Sequence, residues 1–287
     1  MKSKICLMYS YKGGAGRTVS TANIASILAK DFNKKVVCID LDIEGAGLGI
    51  VFNVHKEINS SKDRKCLQDI LCSKGFKSAQ DFYANWWPGL HFDIGKQFSV
   101  PDLDGKLLFV PARFAAHDAV PHAEETAMIL ESLLNEIKTQ IKPDYILLDS
   151  ASGMGDWACM GFSLCDALVV FMRWSRQFME GTIETIKFLQ TSCYIVARQI
   201  LIVPSAVPAL NVGNSKYDRI LKSNQTRIII ETEANKESKV RLLDGVSESI
   251  GLKWEEKLLN LESNLMDDEA KTLDDFRNIA KVLMEIK

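Results

Sequence analysis

Apolar positions along the chain fall into short continuous runs separated by stretches of helical spacing, the pattern of strands covered on both faces of a parallel sheet. Ile5–Tyr9 reads as a strand, Lys12–Gly16 as a glycine loop, and Thr18–Lys30 as a helix with Ile24, Ile27 and Leu28 on its apolar side. A second strand, Lys35–Ile39, runs into Asp40. This strand, helix and strand form a βαβ unit, which requires parallel pairing and a right-handed crossover. Further strands are predicted at Leu107–Val110 before Pro111, Tyr145–Leu148 before Asp149, Ala167–Phe171, and Ile200–Val203 before Pro204.

Helices are predicted from about Glu124 to Thr139, with Pro143 beyond its end, and from about Met179 to Ala197. The terminal run of Leu273, Phe276, Ile279, Ala280 and Leu283 also has helical spacing. Residues 43–106 are less regular: Gly45, Gly47 and Gly49 lie close together, and the Ser60–Lys65 stretch and the Trp86-Trp87-Pro88-Gly89 cluster follow. Short helices and loops are expected there, as an irregular insertion at about 50–105 in a single domain spanning 1–287. The polar, mixed-charge region 213–245 contains the apolar run Ile228–Ile230, read as an edge strand. The fold class is therefore α/β, a three-layer arrangement with a mostly parallel central sheet and helices on both faces.

The strongest chemical signal is Lys12-Gly13-Gly14-Ala15-Gly16-Arg17-Thr18, placed between a strand and a helix. Glycines let successive N–H groups turn toward one point, and a helix N-terminus adds partial positive charge, so the segment is built to cradle an anion, with phosphate the natural occupant. Against the ordinary phosphate-binding pattern G-x-x-x-x-G-K-[ST], Tyr11 replaces the first glycine and Arg17 replaces the lysine. Three carboxylates stand at strand ends, Asp40, Asp42 and Asp149, where open parallel sheets bind ligands.

The loop resembles the deviant Walker A sequence of the ParA/MinD family of P-loop ATPases, KGGxGK[ST], with Lys12 at the place of that family's additional signature lysine. Asp40-Leu41-Asp42 resembles the family's Asp-x-Asp in the first switch region, and Asp149-Ser150-Ala151-Ser152-Gly153 its Walker B strand end and turn. Asp166–Phe171, Glu180-Gly181-Thr182 and Ile200–Ser205 resemble later segments, the last preceding the loop that meets adenine. Arg17 suggests a divergent KGGxGR subgroup.

The resemblance implies ATP and Mg2+ as ligands. Gly13, Gly14, Ala15, Gly16, Arg17, Thr18 and Val19 would surround the phosphates, with the amides of Gly14 to Thr18 on the β-phosphate, and Pro204 and Ser205 would lie toward the base. Thr18 and Asp149 would hold Mg2+, Asp149 through water, while Asp42 would orient the attacking water near the metal and Asp40 would support it. In the family the signature lysine crosses a face-to-face dimer, so Lys12 would act in trans on the partner's phosphates. Arg17 keeps the charge but substitutes a planar fork for an ammonium. ATP binding should survive, while hydrolysis should be slow or partner-dependent. The expectation is a nucleotide-controlled homodimeric switch for an unknown protein partner.

Two other function classes compete. A hydrolysis-poor module that binds ATP and recruits partners would also suit Arg17. A dinucleotide-binding protein would use Gly14-Ala15-Gly16 with Asp40 on the ribose, but Val19 stands where its third glycine belongs, and Lys12, Thr18 and Asp149 would have no role.

Composition narrows the setting. The 287 residues are 47% hydrophobic and 25% charged, ordinary globular values, and the formal net charge of −2 gives no global reason to expect nucleic acid. Lys216, Arg219, Lys222 and Arg227 might suggest a DNA surface, but Asp218, Glu231 and Glu233 dilute them into a solvated face. Seven cysteines without a CxxC pair read as reduced thiols in a cytoplasmic protein. No secretory signal is read in the first residues, and no apolar run approaches the roughly 18 residues needed to span a bilayer. His117, Asp118 and His122 lack zinc spacing and read as a surface loop; Trp86-Trp87 reads as a packed loop ahead of a partner patch. The C-terminal amphipathic stretch is expected to dock on the core rather than on a membrane.

Overall fold

The chain's structure, a computed structural model, describes residues 3–61, 63–73, 75–113, 123–191, 197, 199–208, 215–234 and 239–286. Its strands are β1 (Lys4–Tyr9), β2 (Val36–Asp40), β3 (Phe92–Asp93), β4 (Leu107–Val110), β5 (Tyr145–Asp149), β6 (Ala167–Met172), β7 (Gln199–Pro204) and β8 (Val240–Leu242). They form one sheet of eight in the order β3-β4-β2-β5-β1-β6-β7-β8. Every pairing is parallel except β3 with β4.

The central strands β1, β2, β5 and β6 are buried almost throughout, which is why their sequences are continuous apolar runs rather than alternating ones. Connections out of β1 move toward β2, whereas those out of β4, β5, β6 and β7 move the other way along the sheet. Right-handed crossovers then put the helix Arg17–Lys30 on one face, and the helices Ala123–Glu136, Asp156–Leu164, Arg176–Thr191 and Ser215–Thr232 on the other. Packing agrees: the C-terminal helix Asp267–Glu285 lies on Arg17–Lys30, and Arg176–Thr191 lies on Ser215–Thr232. The reversal occurs between β5 and β1, and such a switch point opens a crevice at the carboxyl ends of the strands.

Leu273, Phe276, Ile279, Ala280 and Leu283 of the C-terminal helix are buried, so its apolar stripe docks on the core as expected. Trp87 is also buried, stacked on His91 at 4.4 Å and beside Phe82 at 5.7 Å, while Lys65 sits over Trp86 at 4.3 Å. The cluster packs on the core as expected, but as short helical turns, Phe82–Trp86 and Trp87–Leu90, rather than as a loop. Residues 43–106 fold mainly as short helices and loops, with β3 as an antiparallel edge strand that two residues cannot announce.

Ile228–Ile230 is a correction: it lies in the helix Ser215–Thr232. Three consecutive β-branched residues suit a strand, but only Ile228 is buried, at 0% exposure, while Ile229 and Ile230 are 43% and 69% exposed. One residue in three facing inward is a helical stripe. The helix expected from Met179 begins earlier, at Arg176, and is described as far as Thr191; the remainder of that expectation lies outside the described residues. His117, Asp118 and His122 also lie outside them. Arg227 is bound in-house by Glu180 through two bonds of 2.8 Å and by Glu231 at 2.6 Å, which removes it from the suggested DNA face. Among the described residues no helix is long and apolar enough to cross a membrane.

The first helix is fixed from behind by a polar clasp. Asn23, fully buried, donates to the Lys257 carbonyl at 2.9 Å and accepts from the Leu259 amide at 2.8 Å, and Ser26 donates to Asn260 at 2.8 Å. Asn23→Ala leaves the part-buried Lys257 carbonyl and the buried Leu259 amide without this partner. The expected loss is about 2–4 kcal/mol of unfolding free energy, read by denaturant titration, while a change below about 0.5 kcal/mol would show the clasp to be idle.

Candidate functional site

The sheet register assembles the acids. In the parallel ladders Asp40 of β2 lies opposite Asp149 of β5, and Asp149 lies opposite Met8 of β1, so both carboxylates arise beside the start of the glycine loop. Main-chain bonds stitch the neighbouring loops together: Leu41 N to Asp149 O at 2.9 Å, Ser150 N to Met8 O at 3.1 Å, and Gly153 N to Ser10 O at 3.1 Å.

The loop has the backbone its glycines permit. Gly14 and Gly16 take φ of 81° and 73°, in the left-handed region where a side chain would be strained, and a Cβ on either would meet nothing within 4 Å. The concavity is therefore open. Gly16 begins the helix Arg17–Lys30, whose first turn has no intrahelical acceptors for its amides; the Ser20 amide is bonded back to Gly16 O at 3.0 Å. These are the amides that the sequence assigns to a phosphate.

Arg17 does not lie over that cradle. Its guanidinium turns back to the acids, Nε donating to Asp149 Oδ1 at 2.9 Å and a terminal nitrogen to Asp42 Oδ2 at 2.8 Å, with the side chain only 7% exposed. Thr18 Oγ1 donates to Asp149 Oδ2 at 2.8 Å, and Thr21 Oγ1 is 3.1 Å from Asp149 Oδ1. Thr21 was not singled out in the sequence. Its position one turn beyond Arg17 and Thr18 was the available signal, since residues so spaced share a helix face.

Burial disfavours the ionised form of Asp149 and raises its pKa, against the opposing pull of Arg17, Thr18 and Thr21. Asp40, fully buried and beside Asp149 and Asp42, is raised well above the usual carboxylate range, first by burial and then by those two charges. Burial also weighs against the Arg17 charge, but Asp149 and Asp42 outweigh it and hold its pKa above the ordinary arginine value. Asp40 accepts from the amides of Asp42 at 3.1 Å and Leu48 at 3.3 Å. Its oxygens brace the loop, which leaves it poorly placed to bind a ribose.

Asp42 is 23% exposed and faces the loop it begins: its Oδ1 accepts from Gly45 N at 3.0 Å, and its carbonyl from Ala46 N at 2.6 Å. That loop closes on Thr18, because a Cβ on Gly47 would lie 3.2 Å from Thr18 Cγ2. Lys12 is exposed and donates to Gln177 Oε1 at 2.5 Å, on the helix Arg176–Thr191. Tyr11 rests its ring on Gly181, where a Cβ would fall inside the ring. Val19, half-buried, packs at the core margin on the first helix.

Pro204 and Ser205 stand apart from this group, at the end of β7. Ser205 is buried, and its amide and hydroxyl both bond the Met172 carbonyl, at 2.7 and 3.1 Å. With β6 between β1 and β7, this end lies about 10 Å from the glycine loop at ordinary strand spacing, a nucleoside's reach from a phosphate there.

Mg2+ demands oxygen ligands and is commonly held by one or two carboxylates together with substrate phosphates. Thr18, Asp149 and Asp42 supply such oxygens, and the guanidinium between the two carboxylates marks a place that already requires positive charge. Among the described residues no group of three or more His, Cys, Asp or Glu side chains could hold a metal alone.

The family model described as the CobQ/CobB/MinD/ParA nucleotide binding domain matches residues 7–257. A 53-residue segment is 49% identical to an uncharacterised ATP-binding protein of Methanocaldococcus jannaschii, a match spanning 18% of this chain and only 20% of that protein. Among solved structures, an ATP complex of McdA from Cyanothece aligns over 100% of this chain and 98% of its own, with 15% identity and a TM-score of 0.72. MinD from Aquifex aeolicus aligns over 99% and 98%, with 17% identity and a TM-score of 0.66. A plasmid partition protein from Borrelia burgdorferi bound to AMPPNP aligns over 99% of both chains, with 18% identity and a TM-score of 0.67. At these identities the structures establish a shared fold.

Two substitutions test the site's internal contacts. Arg17→Met strands two acids and is expected to lower unfolding free energy by about 3 kcal/mol, as removal of one partner from a buried ion pair does; an unchanged denaturation midpoint would contradict the pairing. Gly181→Ala displaces the Tyr11 ring and is expected to cost about 1–3 kcal/mol, the usual penalty of overpacking, with a changed Tyr11 ring environment seen by NMR.

Proposed function

Because the chain belongs to the CobQ/CobB/MinD/ParA nucleotide-binding domain family, we propose that it binds ATP with Mg2+ and acts as a nucleotide-controlled homodimeric switch for a partner protein. The observation that supports this most is the meeting of an open glycine cradle, the Thr18 hydroxyl, Asp149 and Asp42 at one sheet edge. In this reading the amides of Gly14 to Thr18 take the β-phosphate and Thr18 and Asp149 hold the metal. Asp42 orients the attacking water, and Asp40 keeps the Asp42 loop in place. Pro204 and Ser205 border the base. Magnesium supplies charge neutralisation and in-line positioning for phosphoryl transfer.

Lys12 is exposed at the start of the glycine loop and is bonded to Gln177 of the helix Arg176–Thr191, a placement that leaves it available to a second copy's phosphates. The protein belongs in this reading to a KGGxGR subgroup. Neighbours bear on it in kind: structures of McdA and of the partition protein contain ATP or AMPPNP, and a MinC:MinD complex from Aquifex aeolicus has the same fold. A second reading is favoured by one specific contact. Arg17 is committed to Asp42 and Asp149, the acids needed for hydrolysis, which suits a protein that binds ATP and recruits a partner with little turnover.

Thermal-shift titration decides the ligand class: Mg·ATP should raise the melting temperature and NAD should not. The isolated protein should hydrolyse ATP far below about 10 per second, the median for ordinary enzymes. Asp42→Ala should reduce that rate by about a hundredfold or more with ATP binding retained. Lys12→Ala should abolish ATP-dependent dimerisation seen by light scattering. An inert wild type restored to turnover by Arg17→Lys would select the recruitment reading.

A further inference from the structure

We propose that Arg17 is an internal counter-cation that occupies Asp42 and Asp149 in the nucleotide-free protein and gives them up to Mg2+ only when the metal arrives with nucleotide. The inference rests on the ATP reading above and adds an order of loading. Free metal is kept out, and the metal–nucleotide complex is let in.

The geometry points first to exclusion. Two different nitrogens of one guanidinium hold two different carboxylates, at 2.9 Å on Asp149 and 2.8 Å on Asp42, in a side chain that is 7% exposed. Mg2+ binds oxygen at about 2.0–2.1 Å in octahedral geometry, so on either carboxylate it would sit within contact range of a fixed positive charge. The two cations cannot share the pair. A lone divalent ion must therefore displace a buried, doubly hydrogen-bonded guanidinium.

Nucleotide changes that balance. Arg17 is the first residue of its helix and the direct continuation of the glycine loop, so its side chain is rooted within reach of anything in the cradle. A triphosphate there offers the guanidinium new anionic oxygens in the planar geometry that arginine prefers. Its departure strands two acids, and a divalent cation replaces the lost charge with surplus. Each exchange makes the other favourable.

The rest of the site is already set for the exchange. Thr18 Oγ1 donates its proton to Asp149 at 2.8 Å, which leaves the oxygen lone pairs free to face a metal without losing that bond. Thr21 stays on Asp149. Only Arg17 has to move. Its release also unpins Asp42, whose side chain and carbonyl hold Gly45 and Ala46, so that the 42–47 loop against Thr18 senses which cation occupies the acids.

Mn2+ as a probe of the metal site, counted by the EPR signal of the unbound ion, gives a test independent of turnover. Without nucleotide, Arg17→Met is expected to bind Mn2+ at least tenfold more tightly than wild type, and Mn2+ should raise the melting temperature of the variant but not of wild type. Equal nucleotide-free affinity in the two proteins would overturn the proposal. A measurement on wild type alone guards against a variant that does not fold: the Arg17 Nε–H resonance should shift when Mg2+ and a non-hydrolysable ATP analogue are added together. It should stay in place with Mg2+ alone. A resonance that ignores the metal–nucleotide pair, or one that moves with Mg2+ by itself, would defeat the exchange. A wild type that binds no analogue defeats the ATP reading instead, and the nucleotide-free comparison then decides separately whether Arg17 guards the acids.

Discussion

A fully buried carboxylate at the centre of a parallel sheet is the constraint around which this site is organised. Asp149 has no solvent exposure, and transferring an ionised acid from water into such a place is costly unless charge and hydrogen bonds meet it. Arg17, Thr18 and Thr21 provide that compensation, all from the first turns of one helix. The position of that helix is thus tied to the acid as firmly as to the hydrophobic core beneath it.

The constraint propagates outward through the register. Since β5 lies between β2 and β1, whatever fixes Asp149 also fixes the two loops that leave its neighbours, one bearing Asp42 and the other the glycines. Asp40 shows the same logic on the β2 side. Buried without a cation, it spends its oxygens on two loop amides, and its raised pKa reflects both burial and the adjacent acids. On the far side of the first helix, Asn23 and Ser26 clasp the segment that leads to the C-terminal helix. The site is held between a charged contact in front and a polar clasp behind.

Much of this was legible in the amino-acid order because its cause is local. Continuous apolar runs ending in aspartate mark central parallel strands, and β1, β2, β5 and β6 lie within a residue or so of their expected places. The glycine loop is legible because the left-handed backbone found at positions 14 and 16 favours glycine, which adopts it without strain. Ile228–Ile230 misled because β-branching is a local preference, whereas its helical state is set by packing against the helix Arg176–Thr191. Short β3 and β8 left no periodic trace, being defined by the neighbours they pair with. The seat of Tyr11 on Gly181 depends on tertiary approach, which no spacing in the chain encodes, whereas Thr21 left only its one-turn spacing from Arg17 and Thr18 as a trace.

The direction of Arg17 belongs to the same class, and it is the feature with most consequence. In the sequence Arg17 is only a letter change from the motif's lysine, with the charge kept, and both residues would reach a phosphate. What separates them is the capacity to serve two acids at once. An ammonium is a single, strongly hydrated point charge, whereas the guanidinium presents nitrogens on separate arms and is less costly to desolvate. In a pocket with one acid fully buried and a second part-buried 2.8 Å from a separate arm, the fork has a stable resting place that a lysine would lack. A replacement that looks conservative on the phosphate side therefore gives Arg17 a seat on two acids at once, a contact that a lysine's single ammonium is not shaped to make.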